Sequence, residues 1–383
     1  MTGFRTIFLN GSAQLGGGEI ALSELASAVP GARILLLEAG PAEDLFRSRG
    51  LEVQVFPISK RIRENTKESG IPGPGLMLEA IGQIWRLSRW MREADLVHCN
   101  NQKAWVLGAL ATWVARRPVV WHLHDILSRE HFSKSKIRLV VWLANLRASR
   151  VVANSKASAD AFVAAGGRPE IVEVVHNPIS PEPFLKARSI EGFRESLGCA
   201  RNEPVYGVFS RLASWKGQHV AIQALARQAK GHLVLVGAPL FSEEAYEAEL
   251  KRLVTELGLD GRVHFLGFRK DIPALLASID LAMHTSIVAE PFGLVILEAQ
   301  LAGKPVVATA AGGAMEIVED DVSGWLVPPG DIEALSRVMT YGLTDPDRLS
   351  RLGTSARIEA LKRFDAGVLR MRFLRILESV VVG

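Results

Sequence analysis

Cysteine is scarce: Cys99 and Cys199 are the only two in 383 residues. Two thiols cannot make a disulfide framework, and these two have no metal-ligand spacing. Both read as structural thiols in a reducing compartment. Cys99 follows His98 directly, a pair that reads as core. Long apolar runs are missing too, since no stretch approaches the ~18 uninterrupted apolar residues of a membrane span. The opening MTGFRTIFLNGSAQLGGG lacks the charged region, apolar core and cleavage site of a signal peptide and reads as a first strand. The expected location is the cytoplasm, either soluble or peripheral on the inner face of the membrane. Charge of one sign is also sparse, with a net charge of +4. The first 185 residues hold 22 Lys and Arg against 17 Asp and Glu; the remainder holds 23 against 24. That imbalance gives no reason to expect nucleic acid, but it leaves room for a basic patch on the N-terminal half.

What is present is ordinary globular composition, 48% hydrophobic and 22% charged with 34 glycines. The length predicts two domains. Short apolar runs alternate with longer amphipathic stretches. Strands are expected at Thr6–Asn10, Arg33–Leu37, Glu52–Pro57, Leu96–Cys99, Val119–Leu123, Arg150–Ala153 and Val172–Val175. The second half adds Val205–Ser210, Leu233–Val236, Val263–Leu266, Leu281–His284, Pro305–Ala308 and Trp325–Val327. Helical patterns fill the gaps, as at Met77–Arg92 and Ser214–Gln228. This alternation predicts α/β architecture, with parallel sheets covered by helices on both faces. Prolines at 178, 181 and 183 break both patterns and place a domain boundary there. Two α/β domains, 1–177 and 178–383, would leave a cleft at the carboxyl ends of their strands. The Lys60–Gly75 segment reads as a mobile loop beside it.

Three features carry chemistry. The first strand runs into Gly11–Glu19, with Gly16, Gly17 and Gly18 in sequence and a helix expected from about Ile20. Consecutive glycines let backbone N–H groups approach a phosphate at a helix N-terminus. The spacing is not G-x-G-x-x-G, although Glu38 sits where a dinucleotide site keeps its ribose acid. Second, Arg211 and Lys216 occupy the loop after Val205–Ser210, just before a helix, where two cations could hold a diphosphate. Third, Glu290-Pro291-Phe292-Gly293-Leu294 opens a string that reaches Glu298. Proline favours a first helical turn, so Glu290 is expected at the helix cap beside the N–H groups of Phe292, Gly293 and Leu294. The acidic run Glu319-Asp320-Asp321 reads as a solvated turn, so no metal site is expected. Basic residues from Lys134 to Arg150 surround an apolar run, as in a helix that lies on an anionic membrane.

The string EPFGLVILEAQLAGKPVVAT, preceded by SRLASWKG and LGFRKDIP, resembles the retaining GT-B glycosyltransferases of family GT4. The likeness extends through GGGE, DLVHCNN, WHLHD, VVANS, VVHNPIS and EIVEDDVSGWLVPPG. It implies two Rossmann-like domains facing each other across a cleft, with the last helix able to return to the first domain. It also implies transfer of a hexose-type sugar, with retention, from a UDP- or GDP-linked donor to a hydroxyl acceptor, lipid-linked acceptors included. The nucleotide sugar is then a co-substrate and no cofactor is expected.

The resemblance implies roles at the matching positions. Glu290 would contact the donor sugar near the reacting carbon, and Glu298 would accept from the ribose hydroxyls. Arg211 and Lys216 would bind the diphosphate without a metal ion, and Gly17 and Gly18 would pack against it. Gly16 leaves open which glycine does so. His124 would approach the sugar, although His122 alternates to the same face. Arg269 lies where the nucleobase is read. Two rival readings stay open, an NAD(P)-dependent oxidoreductase resting on Gly16–Gly18 with Glu38, and a nucleotide-sugar epimerase on a similar scaffold.

Overall fold

The computed structural model describes residues 4–59, 61–62, 74–200, 202–239 and 243–382. Most of Lys60–Gly75 lies outside the described residues. Among them, thirteen strands form two sheets, each paired in parallel throughout. The first holds β1 (Thr6–Asn10), β2 (Arg33–Leu36), β3 (Glu52–Val55), β4 (Leu96–Cys99), β5 (Val119–Leu123), β6 (Arg150–Ala153) and β7 (Val172–Val174). Their order is β3-β2-β1-β4-β5-β6-β7. The second holds β8 (Val205–Phe209), β9 (His232–Val236), β10 (Val263–Gly267), β11 (Leu281–His284), β12 (Val306–Thr309) and β13 (Trp325–Val327), ordered β10-β9-β8-β11-β12-β13. The central strands are largely apolar along their length, because helices bury both faces of each sheet, whereas the edge strands β3 and β7 alternate. Every residue of β1, β5, β8 and β9 is buried.

Seven helices matter below: α1 (Gly17–Ala26), α2 (Pro74–Met91), α3 (Gln102–Ala115), α4 (Lys134–Arg147), α5 (Gln218–Ala226), α6 (Leu294–Leu301) and α7 (Ala366–Val382). Two compact units result, Met1–Ile179 with Ala366–Gly383, and Ser180–Asp365. Each has its own core. In the first, Trp105 on α3 stacks on Trp121 of β5 with ring centroids 5.2 Å apart. Burying such a side chain contributes roughly 2–3 kcal/mol. Helix α7 belongs to the first unit. Its Phe373 lies 6.3 Å from Phe8 of β1 and 5.3 Å from His98 of β4, ring to ring. Arg370 pairs with the buried Glu24, which also holds Arg49. In the second unit the Tyr206 hydroxyl donates to the Met339 carbonyl at 2.7 Å.

Helix starts depart from the sequence expectation in three places. Helix α1 begins at Gly17 rather than near Ile20, so Gly17 and Gly18 form its first turn. The expected helix Ser214–Gln228 is interrupted at Gly217, which has φ +69. An added Cβ there would meet the Thr285 carbonyl oxygen at 2.0 Å, so only glycine lets the two loops approach. Pro291 does not open a helix. Gly293, in the left-handed region with φ +92, caps α6, which starts at Leu294.

Candidate active site

Both sheets change direction of winding at their first strand, between β1 and β4 and between β8 and β11. In open parallel sheets these switch points collect ligands at the strands' carboxyl ends. The chemistry-bearing residues of each unit gather there.

In the second unit, the loop after β8 carries Arg211 and Lys216, with Trp215 between them. The Trp215 ring lies 4.3 Å from Lys216 Nζ and 5.5 Å from the Arg211 guanidinium. The Trp215 carbonyl accepts from Ile287 N at 2.8 Å, and the Lys216 carbonyl accepts from Thr285 Oγ1 at 2.9 Å. The β8 loop is thus fastened to the loop after β11. Glu290 lies just beyond, buried, with its backbone bridged to Gly312 and its carbonyl accepting from Gly313 N at 2.8 Å.

Two hydrogen-bond donors and a close imidazole nitrogen converge on one oxygen of Glu290. Lys216 Nζ lies 2.5 Å from Oε1, His284 Nε2 lies 2.9 Å from it, and Ser286 Oγ donates to it. Oε2 makes no hydrogen bond or ion pair with a described residue. Burial by itself would raise the Glu290 carboxyl, but Lys216 and His284 hold it well below the usual carboxylate range. His284 Nδ1 also stands 3.4 Å from Thr309 Oγ1 of β12. The cluster therefore ties together the ends of β8, β11 and β12.

Glu298 sits on the second turn of α6. It keeps some exposure, yet the protein around it pushes its carboxyl up to about 7. Among the described residues it has no side-chain partner. Phe292 turns inward, its ring 5.9 Å from that of Phe364, so Pro291, Phe292 and Gly293 can offer a ligand chiefly backbone. Leu294 opens α6 and carries the first open N–H of its turn. Arg269 follows β10 and pairs with Asp271, Nη2 to Oδ2, at 2.6 Å.

In the first unit, Gly16 caps α1 in extended conformation, and Gly17 and Gly18 open its first turn. A Cβ on Gly18 would stand 3.9 Å from the His124 ring. His124 follows β5 directly, is partly exposed, and shares a 2.9 Å hydrogen bond between Nε2 and Asn100 Oδ1. Burial of the imidazole pushes it down to about 4. His122 lies on the same side, with ring centroids 4.0 Å apart, but is fully buried between His124 and Phe373. Of the two histidines, His124 is the one beside the glycine loop. Glu38 accepts from Ala13 N at 3.2 Å and so anchors that loop.

Sequence reasoning missed His284, Ser286 and Asn100. A signal was available, since each lies at or just past the carboxyl end of a strand flanking a switch point. One group of metal-type ligands also comes together among the described residues. The ligand atoms of Cys199, Glu203 and His232 lie within 4.8 Å of one another. It is remote from Glu290, because His232 is the first residue of β9 whereas Glu290 lies beyond the carboxyl ends. Arg194 Nη1 stands 3.9 Å from the Cys199 sulfur.

Residues 16–183 match the family model of glycosyltransferase family 4, and residues 189–359 match that of glycosyl transferases group 1. Among solved structures, Alr3699/HepE of Anabaena in complex with UDP-glucose is 40% identical, with a TM-score of 0.89 over 98% of this chain and all of that one. Among curated proteins, D-inositol 3-phosphate glycosyltransferase 1 of Catenulispora acidiphila is 31% identical over 315 residues, 76% of this chain and 73% of that protein. An uncharacterized glycosyltransferase of Methanocaldococcus jannaschii, MJ1607, is 30% identical over 249 residues, 61% and 62% of the two chains. This chain spans about half the length of the first curated relatives it matches.

Proposed function

This chain belongs to the GT4-type glycosyltransferases of group 1, with two Rossmann-like domains of the GT-B class, and on that premise we propose that it transfers a hexose from a UDP-sugar to a hydroxyl acceptor with retention. The observation that carries this reading is Glu290. Its Oε1 is held by Lys216 and Ser286 with His284 Nε2 2.9 Å away, and Oε2 is left to accept from a sugar hydroxyl. The 40% identical Anabaena protein was solved with UDP-glucose, which supports UDP over GDP.

In this reading Lys216 and Arg211 meet the diphosphate. Arg211 offers a planar fork and Lys216 a compact ammonium, so they engage different oxygens. The open N–H groups at the start of α6 add partial positive charge. Glu298 takes the ribose hydroxyls, and Arg269 lies where the base is read. From the first unit, the glycine loop offers the donor backbone N–H groups at the start of α1, with His124 beside it. The C–O bond to the leaving phosphate breaks as the acceptor oxygen bonds to the anomeric carbon on the same face. The departing phosphate takes the acceptor proton, and ionised Glu290 stabilises the oxocarbenium-like centre. No metal or further cofactor enters.

We further propose that the acceptor is presented at an anionic membrane surface. No helix among the described residues is long and apolar enough to cross a membrane. Helices α2, α3 and α4 pack side by side and expose Trp85, Trp113, Leu139 and Trp142. Arg89 lies 3.8 Å over Trp85 and Arg147 lies 5.5 Å over Trp113, the pairing of apolar body and cation that suits an interface.

A thermal-shift series with UDP, GDP, UDP-glucose, GDP-mannose and NAD tests the donor class, since a ligand of the native state stabilises it by mass action. Stabilisation by NAD alone would restore the oxidoreductase reading. Conversion of the nucleotide sugar without an acceptor would restore the epimerase.

A further inference from the structure

Four side chains beside the glycine loop are wired in one direction. The Ser12 carbonyl can only accept, and Asn10 Nδ2 lies 2.5 Å from it, so Asn10 Oδ1 faces the other way. There it accepts from Asn100 Nδ2 at 3.0 Å and from Asn101 Nδ2 at 3.1 Å. The orientation of Asn101 is set independently. Its Oδ1 takes the Ala104 amide N–H at 2.9 Å, a group that can only donate. Asn100 Nδ2 also reaches the Gly18 carbonyl, at 3.4 Å, a third backbone group of fixed polarity. The atom that Asn100 turns to His124 is therefore Oδ1, 2.9 Å from Nε2. An amide oxygen carries no proton, so the hydrogen sits on Nε2.

We propose that Asn100 is a positioning residue that holds His124 in the Nε2–H form beside Gly18. Through the Asn10–Asn100 amide pair, the backbone of the glycine loop dictates the tautomer of a ring that comes from another strand. Asn100 is 1% exposed, so it acts through His124. His124 Nδ1 then keeps its lone pair, and no described residue donates to it. Its neighbours oppose a second proton. The His122 ring lies 4.0 Å from the His124 ring and 5.2 Å from that of His98, and all three are pushed down by burial. The nearby carboxyl of Glu19 is itself raised by burial, toward its neutral form. His124 thus orients a neighbour as a neutral imidazole and supplies no proton as a general acid. Its place in the donor site rests on the function proposed above; the wiring does not.

The test is the ring-nitrogen NMR spectrum of the full chain labelled with 15N-histidine, with His124 assigned from the His124→Asn spectrum. At pH 7 the expected result is a protonated Nε2 and a bare Nδ1. In Asn100→Ala the tautomers should mix, and the KM for the donor should rise about tenfold, the worth of one lost hydrogen bond, with kcat changed less. Asn100→Ser serves in its place if the alanine variant does not fold, and the wild-type spectrum stands by itself in either case. A wild-type Nδ1–H tautomer, a cationic ring at pH 7, or an unchanged tautomer in folded Asn100→Ala would overturn the proposal. A shifted tautomer with an unchanged donor KM would leave the wiring standing and remove His124 from the donor site.

Discussion

Lys216 Nζ lies 2.5 Å from Glu290 Oε1, although the two residues are 74 apart in sequence. The cation expected to meet a diphosphate is thus already paired with a buried carboxylate. In the proposed donor site an arriving phosphate would share Lys216 with Glu290, which would couple nucleotide binding to the position of that carboxylate.

Glu290→Gln should lower kcat by ~10² or more, because a neutral amide cannot stabilise developing positive charge. It also leaves the half-buried Lys216 ammonium without its counter-ion, at roughly 3 kcal/mol of stability. Adding Lys216→Met should recover most of the stability and none of the activity. Steady-state kinetics and thermal melts on both variants check this, and wild-type turnover in Glu290→Gln would sink the assignment. Glu290 has a depressed folded pKa. Its stabilising contribution is therefore present at neutral pH and lost only as pH falls through that depressed value.

Glu298 has the opposite sign. Its folded value is raised to about 7, so from the usual carboxylate range up to about pH 7 the folded state holds a proton that the unfolded chain has released. Stability falls as pH rises through that window. Glu298→Gln should therefore be more stable than wild type at pH 8, by up to about 3 kcal/mol, with the gain vanishing near pH 4. The same variant should bind UDP more weakly. Wild-type affinity for UDP should rise as pH passes about 7, because ionised Glu298 is the better acceptor. Melts and calorimetric titrations across pH 5–8.5 read both effects.

Gly312 holds the backbone of Glu290 from behind. It has φ +61, and an added Cβ would stand 2.2 Å from the Glu290 carbonyl oxygen. Gly312→Ala should lower kcat more than tenfold by displacing Glu290 and should cost about 1–3 kcal/mol in stability. Ser286→Ala removes a donor without touching the backbone and should act more mildly. Equal kinetics for Gly312→Ala and wild type would show that the Glu290 backbone need not be held.

Fixed cations at the diphosphate predict transfer that persists in excess EDTA, and Lys216→Ala should lose both turnover and nucleotide affinity. Complete loss of transfer in EDTA, restored by Mg²⁺ or Mn²⁺, would mean that a metal ion does this work.

The exposed tryptophans of α2, α3 and α4 predict co-sedimentation with anionic vesicles that weakens as salt rises, since exposed charges are screened within about 10 Å at 0.1 M. Trp142 is 58% exposed, so Trp142→Glu should reduce sedimentation without lowering the melting temperature. Equal sedimentation with neutral and anionic vesicles would remove the electrostatic part of this proposal.

Every expected strand is present, to within a residue or two at its ends, because a parallel strand buried on both faces writes itself as a continuous apolar run. Glu290, Glu298, Arg211 and Lys216 were legible for a related reason. They sit in short strings between a strand and a helix, where turn chemistry and charge stand out from apolar surroundings. The start of α6 was misread because Pro291 signals a helical turn locally, whereas the left-handed turn at Gly293 is imposed by packing. The backbone there runs against Gly312 and Gly313, and Phe292 is drawn into the core against Phe364.

The sequence by itself thus determined the two α/β units, the strand ends at which ligands gather, and the residue types placed there, since all of these follow from local periodicity and loop composition. Only the tertiary structure decided which groups share an atom. Lys216, His284 and Ser286 meet on one oxygen of Glu290 because β8 and β11 are neighbours in the sheet, and Asn100 faces His124 because β4 lies beside β5. Such convergence depends on distances of about 3 Å between chain segments far apart in sequence, and no local pattern of residues encodes it.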